Sequence, residues 1–376
     1  MDVIVLFVII TALVFDFTNG FHDTANAMAT SIATGALKPK VAVALSGVLN
    51  LVGAFLSVAV AKTISSGLVE DTKITPAVIF GGLIGAIVWN LLTWLLGLPS
   101  SSSHALFGGL IGATWVAAGA DAVHFGTVVS KILIPAVLAP IVAGVVALVG
   151  TYLAYRITSR AHRATVGAGF KTGQVVSASM VSLAHGTNDA QKTMGVITLT
   201  LVTAGALAPG SGPPFWVILA AGLAIAAGTY VGGWRIIRTL GNRITEIETP
   251  QGFAAETSST AVILVSSQLG FPLSTTQVCS GAIFGAGAGR RLAQVRWSLA
   301  GQMVIAWVLT LPAAAIVGAL AGWVAETGTV GTVVVAAAGL AIAGAIYALS
   351  RGEPVDAHNV NEVPVGAPKA AAVTSV

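Results

Sequence analysis

Charge is what this chain has least of. Asp, Glu, Lys and Arg make up 9% of its 376 residues, while 55% are hydrophobic. A soluble core does not need that much apolar sequence; a polytopic membrane protein does. Cysteine is nearly absent, and a single Cys279 excludes both a disulfide framework and a Cys-rich metal centre. The 18 Lys and Arg are spread over short loops rather than gathered into a basic face. That argues against nucleic acid as a partner and leaves the basic residues as topology signals for a chain whose partner is the lipid bilayer. No HExxH, GxSxG or P-loop pattern is present, and His22, His104 and His185 do not stand at a metal-ligand spacing. No basic residue precedes the apolar stretch 1–15 and no small-residue cleavage site follows it, so the first membrane helix is expected there.

Glycine, by contrast, is abundant at 44 residues, as expected where helices pack closely or break inside a bilayer. A membrane helix needs about 20 apolar residues. Residues 3–17, 41–61, 76–96, 128–155, 215–234, 298–323 and 330–349 are the clear candidates. Shorter apolar pieces at 25–37, 104–120, 174–184, 193–207, 254–269 and 278–289 suit half-helices, re-entrant hairpins or tilted helices. Together they predict an all-α polytopic membrane protein with roughly ten to twelve passages. The loop 156–171 carries Arg156, Arg160, Arg163 and Lys171 and no acid, which places it on the cytoplasmic side. The loops around 235–243 and 290–296 are basic too. The expected organisation is a first membrane half over 1–155, a short basic linker over 156–173, a second half over 174–350, and a polar tail over 351–376. That tail, with Pro354, Pro364 and Pro368, reads as disordered.

The few polar residues are concentrated, and the concentrations come in pairs. "TNGFHDTANAMA" (18–29) and "SLAHGTNDAQKT" (182–193) align when the chain is shifted by 166 positions, residue 20 onto 186. Gly20 then meets Gly186, Asp23 meets Asp189, and Met28 meets Met194; Asn19 meets His185 and His22 meets Asn188. "GLPSSSSHALFGGLIGA" from Gly97 and "GFPLSTTQVCSGAIFGA" from Gly270 align at a shift of 173, residue 97 onto 270, with His104 meeting Gln277. Repeated, Gly/Pro-interrupted apolar segments at matching places in two halves point to a secondary transporter and its site. A helix that stops inside the bilayer leaves backbone N–H or C=O groups unpaired, and these are tolerated only where they are buried in protein or line a cavity. There, positive N-termini attract anions and free carbonyls attract cations.

A Pro followed by a run of hydroxyls, opening a Gly-rich apolar helix, has the character of a helix N-terminus. The run is richer than one cap requires and occurs twice, so Ser101, Ser102, Ser103, Ser274, Thr275 and Thr276 are candidate ligands of an anion. Asp23 and Asp189 are acids flanked by apolar sequence, and ionisable groups inside membrane segments mark pathways. With oxygens from Asn19, Thr24, Asn26, Thr187 and Asn188 nearby, they suit a hard cation such as Na⁺ or a proton relay. Glu256, in "AAETSST", is a third acid in apolar context, either a Na⁺ or proton site or a partner for a basic residue. Lys192 follows Asp189 by three residues, shares its helix face, and is expected to pair with it. Asp16, seven residues ahead of Asp23, gives only a weak signal of lying on the same wall. Two other classes fit worse. An intramembrane enzyme built on "SSSSH" lacks a nucleophile elbow, and its serine run recurs with Gln277 in place of His104. A channel or purely structural protein does not call for doubled, asymmetrically polar broken helices. These residues alone indicate a transporter of a small oxyanion.

At these same motifs the chain resembles the inorganic phosphate transporter (PiT) family. "GFHDTANAMATSIATGAL" from Gly20, "AHGTNDAQKTMGVITL" from Ala184, and the "PSSSS" and "PLSTT" tips carry the likeness, over about residues 5–349. The resemblance implies two inverted-topology repeats with re-entrant or broken helices, in a multi-pass protein of the cell membrane that imports inorganic phosphate by alternating access with Na⁺ or H⁺ as coupling ion and no other cofactor. It places the anion at Ser101–Ser103 and Ser274–Thr276, and the coupling cation at Asp23, Asn26, Asn188, Asp189 and Glu256, with Na⁺ at Asp23 and Asp189 as the metal reading. The first half offers Asn50 and no acid where the second has Glu256, which leaves the number and identity of the cations open. A sulfate permease is the alternative within the same resemblance. The sequence leaves monomer and homo-oligomer equally open.

Overall fold

The computed structural model describes residues 2–290 and 295–362, with the side chains of Arg163 and Ala164 left aside. The chain folds into helices in this order: α1 (Val3–Ala33), α2 (Pro39–Gly53), α3 (Ala59–Gly67), α4 (Pro76–Leu95), α5 (Ser102–Ala118), α6 (Phe125–Thr127), α7 (Ile134–Thr158), α8 (Arg163–Thr203), α9 (Phe215–Val231), α10 (Trp234–Asn242), α11 (Thr249–Gln268), α12 (Thr275–Arg290), α13 (Trp297–Ala325) and α14 (Thr329–Ser350). A π-helical segment, Val128–Leu133, joins α6 to α7. Among the described residues the only strand-like pairing is an isolated bridge between Val69 and Val123.

Among the described residues, five stretches are long and apolar enough to cross a membrane: Val3–Ala33, Pro76–Leu95, Phe125–Thr158, Trp297–Ala325 and Thr329–Ser350. A sixth is counted if α9 and α10, bent by 68° at Gly232, form one span. The expectation of ten to twelve passages stands against these five or six. The difference arises mostly because α2, α5 and α12 are too short, at 15, 17 and 16 residues, and α8 and α11 too polar, to count as spans, and in part because some expected pieces run together. Residues 3–17 and 25–37 are one helix, and 174–184 and 193–207 are one helix of 41 residues. The signature stretches therefore lie inside unbroken helices. Gly20 and Gly186 do not interrupt them; they permit contact. A Cβ on Gly20 would stand 2.3 Å from the carbonyl oxygen of Ile225, and one on Gly186 2.3 Å from that of Asn50.

The breaks fall instead at the serine and threonine tips. α4 and α5 form one helical hairpin, and α11 and α12 another. Each turns at a glycine in left-handed conformation, Gly97 (φ 63°) and Gly270 (φ 70°), a backbone state that side chains with a Cβ resist. The closing bonds correspond, with Leu98 N–H donating to Thr93 C=O and Phe271 N–H to Ser266 C=O, the pattern of a helix terminated by glycine. Beyond the tips, α5 and α12 each present a GxxxG face. Gly108 and Gly112 abut the backbone of Leu311 and Ala315 on α13; Gly281 and Gly285 abut Pro140 and Gly144 on α7. Without Cβ atoms the backbones approach closely, which favours packing where lipid supplies no hydrophobic drive between helices. The hairpin helix of each half is thus held by a long helix of the other half. α1 and α8 run through the interior, packed on each other, while α7 and α14 turn broad apolar faces outward.

Two sequence boundaries shift. The linker expected over 156–173 is largely helical: α7 reaches Thr158 and α8 begins at Arg163. The tail expected to be disordered from 351 docks in its first part. Arg235 donates to the carbonyls of Ser350 and Glu353, Arg238 donates to Asn359, and Val360 is buried. The rest of that tail, 363–376, lies outside the described residues, as do 291–294 of the basic loop.

Gly186→Ala is expected to lower stability by about 1–3 kcal/mol, the usual cost of overpacking. Gly344→Ala, where an added Cβ meets nothing within 4 Å, serves as the control. Thermal unfolding of the two variants in detergent checks the contrast.

Candidate functional site

The two hairpin tips meet end to end in the interior. The Ser103 hydroxyl donates to the Leu273 carbonyl (3.1 Å), and Gln277 lies 3.4 Å from His104 across the joint. Each tip is capped by its own serine. Ser101 Oγ accepts from His104 N–H (3.1 Å) and Ser274 Oγ from Gln277 N–H (3.3 Å). These two hydroxyl oxygens are committed to the helix starts, as N-caps are. The next residues, Ser102, Ser103, Thr275 and Thr276, open the first turns, where backbone N–H groups have no intrahelical partner and the helix dipole is positive.

Against these tips stand the two aspartates. Asp23, on α1, accepts from Ser102 (3.1 Å), Thr276 (3.3 Å) and Thr275 (3.4 Å), and lies 2.6 Å from His22 Nδ1. Asp189, on α8, accepts from Thr275 (3.2 Å) and Asn19 (3.5 Å), lies 3.3 Å from His185 Nε2, and holds Lys192 Nζ at 2.5 Å. Asp23, Asp189 and the Lys192 side chain are all buried. Asn26 donates to Thr276 (3.0 Å) and Thr275 (3.4 Å). One cluster therefore unites α1, α8 and both tips, bringing together residues up to 253 positions apart in the chain.

The cluster is rich in oxygen acceptors that lack donors. Among the described residues, Asn19 Oδ1, Asn26 Oδ1, Gln277 Oε1 and both carboxyl oxygens of the neighbouring Asp16 are buried with no hydrogen-bond partner. A buried acceptor without a partner is costly, and such oxygens belong where a cation or a donor ligand is bound. Asp23, His185 and Asp189 also bring one ligand atom each within 4.8 Å of one another. The residue spacing did not show this grouping, because Asp23 and the other two lie on different helices. The carboxylate oxygens of Asp23 and Asp189, with the unpartnered amide oxygens of Asn19 and Asn26, suit a hard cation.

Not every expected site residue joins the cluster. Asn188 ties down the second hairpin, donating to Ser267 (2.9 Å) and to the Phe271 carbonyl (3.3 Å). Glu256, on α11, sits apart, beside Thr30 and Ser31, which stand two turns past Asp23 on α1, roughly 10 Å at 1.5 Å per residue. Its carboxylate accepts from Thr30 (2.6 Å), Ser31 (2.7 Å), Gln174 (3.1 Å) and Ser177 (2.5 Å). The sequence reading offered a cation site or a basic partner; the structure gives it a cage of neutral donors. None of those donors was singled out, since each is an ordinary polar residue on a helix and only the packing of α1, α8 and α11 joins them. The cage adjoins a cavity of about 800 Å³ lined by Thr34, Tyr155, Ser159, Glu248 and Arg290, and Thr34 donates to Gln174 (2.8 Å). Asp16, a weak signal in the sequence, proves to be buried near Asp189 and Lys192.

An all-helical membrane protein with a buried polar centre built from two helix starts and two carboxylates has the architecture of a transporter. The chain matches the model of the phosphate transporter family over residues 19–166 and 156–318, and it belongs to that family. A protein of Mycobacterium tuberculosis named "Probable low-affinity inorganic phosphate transporter" is 56% identical over 361 residues, 95% of this chain and 87% of the relative. One of Rhizobium meliloti with the same name is 44% identical over 323 residues, 85% of this chain and 95% of the relative. A solved structure described as "The sodium-dependent phosphate transporter" superposes with a TM-score of 0.78 at 25% identity, covering 87% of this chain and all of the other. The relatives are named as transporters, so the enzyme reading falls away.

Asp189→Asn leaves the Lys192 ammonium buried without its counter-charge. Stability is expected to fall by about 3–5 kcal/mol, and the apolar double variant Asp189→Leu/Lys192→Met to recover most of the loss. Denaturant unfolding of the three proteins measures it.

Proposed function

We propose that this protein imports inorganic phosphate across the cell membrane by cation-coupled symport. The observation that carries the reading is the junction of two helix N-termini against two buried carboxylates. First-turn N–H groups and the hydroxyls of Ser102, Ser103, Thr275 and Thr276 supply donors for an anion. Asp23 and Asp189, with the Asn19 and Asn26 amide oxygens, supply acceptors for the cation that offsets its charge. An unpaired anion in low dielectric is costly, so the two bind together or not at all. Phosphate suits this site better than sulfate for a chemical reason. At neutral pH phosphate retains a proton and can donate a hydrogen bond to a carboxylate, while sulfate has none to give and would face Asp23 as a like charge.

The Na⁺-dependent structural neighbour favours Na⁺ as the coupling ion, and H⁺ is the alternative that carboxylates equally serve. Glu256 and its cage then stand on the route between the central site and the cavity lined by Thr34, Tyr155 and Arg290. They pass the cation or a proton as the two inverted repeats rock around the site. Ser101 and Ser274 act on the anion through the helix starts that they cap.

Reconstituted into proteoliposomes, the wild type should take up radiolabelled phosphate saturably when a Na⁺ or pH gradient is applied, with unlabelled sulfate in excess leaving uptake unchanged. Asp23→Asn should reduce coupled uptake by at least a hundredfold, and normal coupled uptake in that variant would overturn the proposal. Inhibition by sulfate would move the protein to sulfate transport and leave the architecture standing.

A further inference from the structure

The two repeats differ at one position in a way that alters how charge is balanced. The shift that lays Asp23 on Asp189 also lays Asn26 on Lys192. In the first repeat Asn26 gives its amide N–H to Thr275 and Thr276, while its Oδ1 is buried with no partner and is free to ligate a cation. In the second repeat the corresponding side chain has no acceptor atom. It carries the positive charge itself, fully buried, with Nζ 2.5 Å from Asp189 Oδ1. A lysine ammonium is a compact point charge with three donors, close in its demands to a small hydrated cation.

We propose that the Lys192 ammonium is a tethered cation, holding permanently beside Asp189 the place that a free ion takes beside Asp23 and Asn26. The inference rests on the cation-coupled reading above. It adds that the two carboxylates are unequal, with one exchanging its counter-ion in each cycle and the other never doing so. The surroundings of Lys192 agree. Asp189 and His185 face the pair from α8 itself, Asp16 from α1, and His104 from α5. Asp189 spends its other oxygen on Thr275, Asn19 and His185 Nε2, so among the described residues Lys192 is the only lysine or arginine in contact with it. The buried carboxyl group of Asp16 lies near the same ammonium. The consequence is a cycle that moves one cation fewer than two equivalent carboxylate sites would move.

The test is Lys192→Asn, which copies the first repeat into the second, with Lys192→Arg as a charge-retaining control. Each protein is expressed and purified in NaCl and in choline chloride, assayed for thermal unfolding in both salts, and reconstituted for phosphate uptake. The expected result is a Na⁺ response gained by Lys192→Asn alone. Its unfolding temperature should rise in NaCl by several degrees more than that of the wild type, and its uptake should depend on Na⁺ at least tenfold more steeply. Lys192→Arg should keep the wild-type response. A Lys192→Asn protein with the wild-type salt response in both readouts overturns the proposal. So does one that fails to fold in either salt, because a free ion then cannot fill the place of the amine. Absence of phosphate uptake by the wild type would instead overturn the transport reading, while the unfolding comparison would still report on the tethered cation.

Discussion

The structure depends on a contact between opposites. Two helix starts, electropositive and lined with hydroxyls, are pressed against two carboxylates in a place that water does not reach. Neither side is stable there alone. A buried aspartate without donors is costly, and so is a helix start whose N–H groups meet only apolar atoms. Ser102, Thr275 and Thr276 serve Asp23, Thr275 also serves Asp189, and Lys192 completes the balance. The surrounding architecture keeps this contact in register. Gly97 and Gly270 turn the hairpins, Ser101 and Ser274 cap the tips, and the GxxxG faces of α5 and α12 fix the depth to which each tip reaches.

The same arrangement explains why the chain carries so little charge yet keeps it together. Apolar faces of α7 and α14 meet lipid, and charge there would serve nothing. Asp23 and Asp189 hold the centre, Lys192 neutralises, and Glu256 sits among four neutral donors between the centre and the cavity lined by Thr34, Tyr155 and Arg290. Each hairpin helix also packs on a long helix distant in the chain, α5 on α13 and α12 on α7.

Much of the site was legible in the residues because it is written in short contiguous motifs. The paired aspartates, the hydroxyl tips and the Asp189–Lys192 pair all follow from local spacing, and all come together in space. What the residues hid depends on long-range packing or on backbone continuity. Gly20 and Gly186 look like helix breakers, but each marks the point where another backbone presses against the helix, and the helices run on. Ser101 and Ser274 are indistinguishable in the sequence from the hydroxyls beside them, and only the cap geometry separates their roles. The donors around Glu256 come from two helices, α1 and α8, and meet it only where α11 packs on both. Asp16 and the docked segment ending near Val360 carry no motif at all; burial alone reveals them.

The central claim is that anion and cation share one buried site, each lowering the cost of the other. Linkage makes that measurable without transport: if the cation strengthens phosphate binding, phosphate must strengthen cation binding by the same factor. Equilibrium binding of radiolabelled phosphate to the purified protein, titrated against Na⁺ at fixed pH and against pH without Na⁺, tests it directly. The account predicts that phosphate affinity rises at least tenfold with one of the two cations. Phosphate binding of constant affinity across both titrations would contradict it.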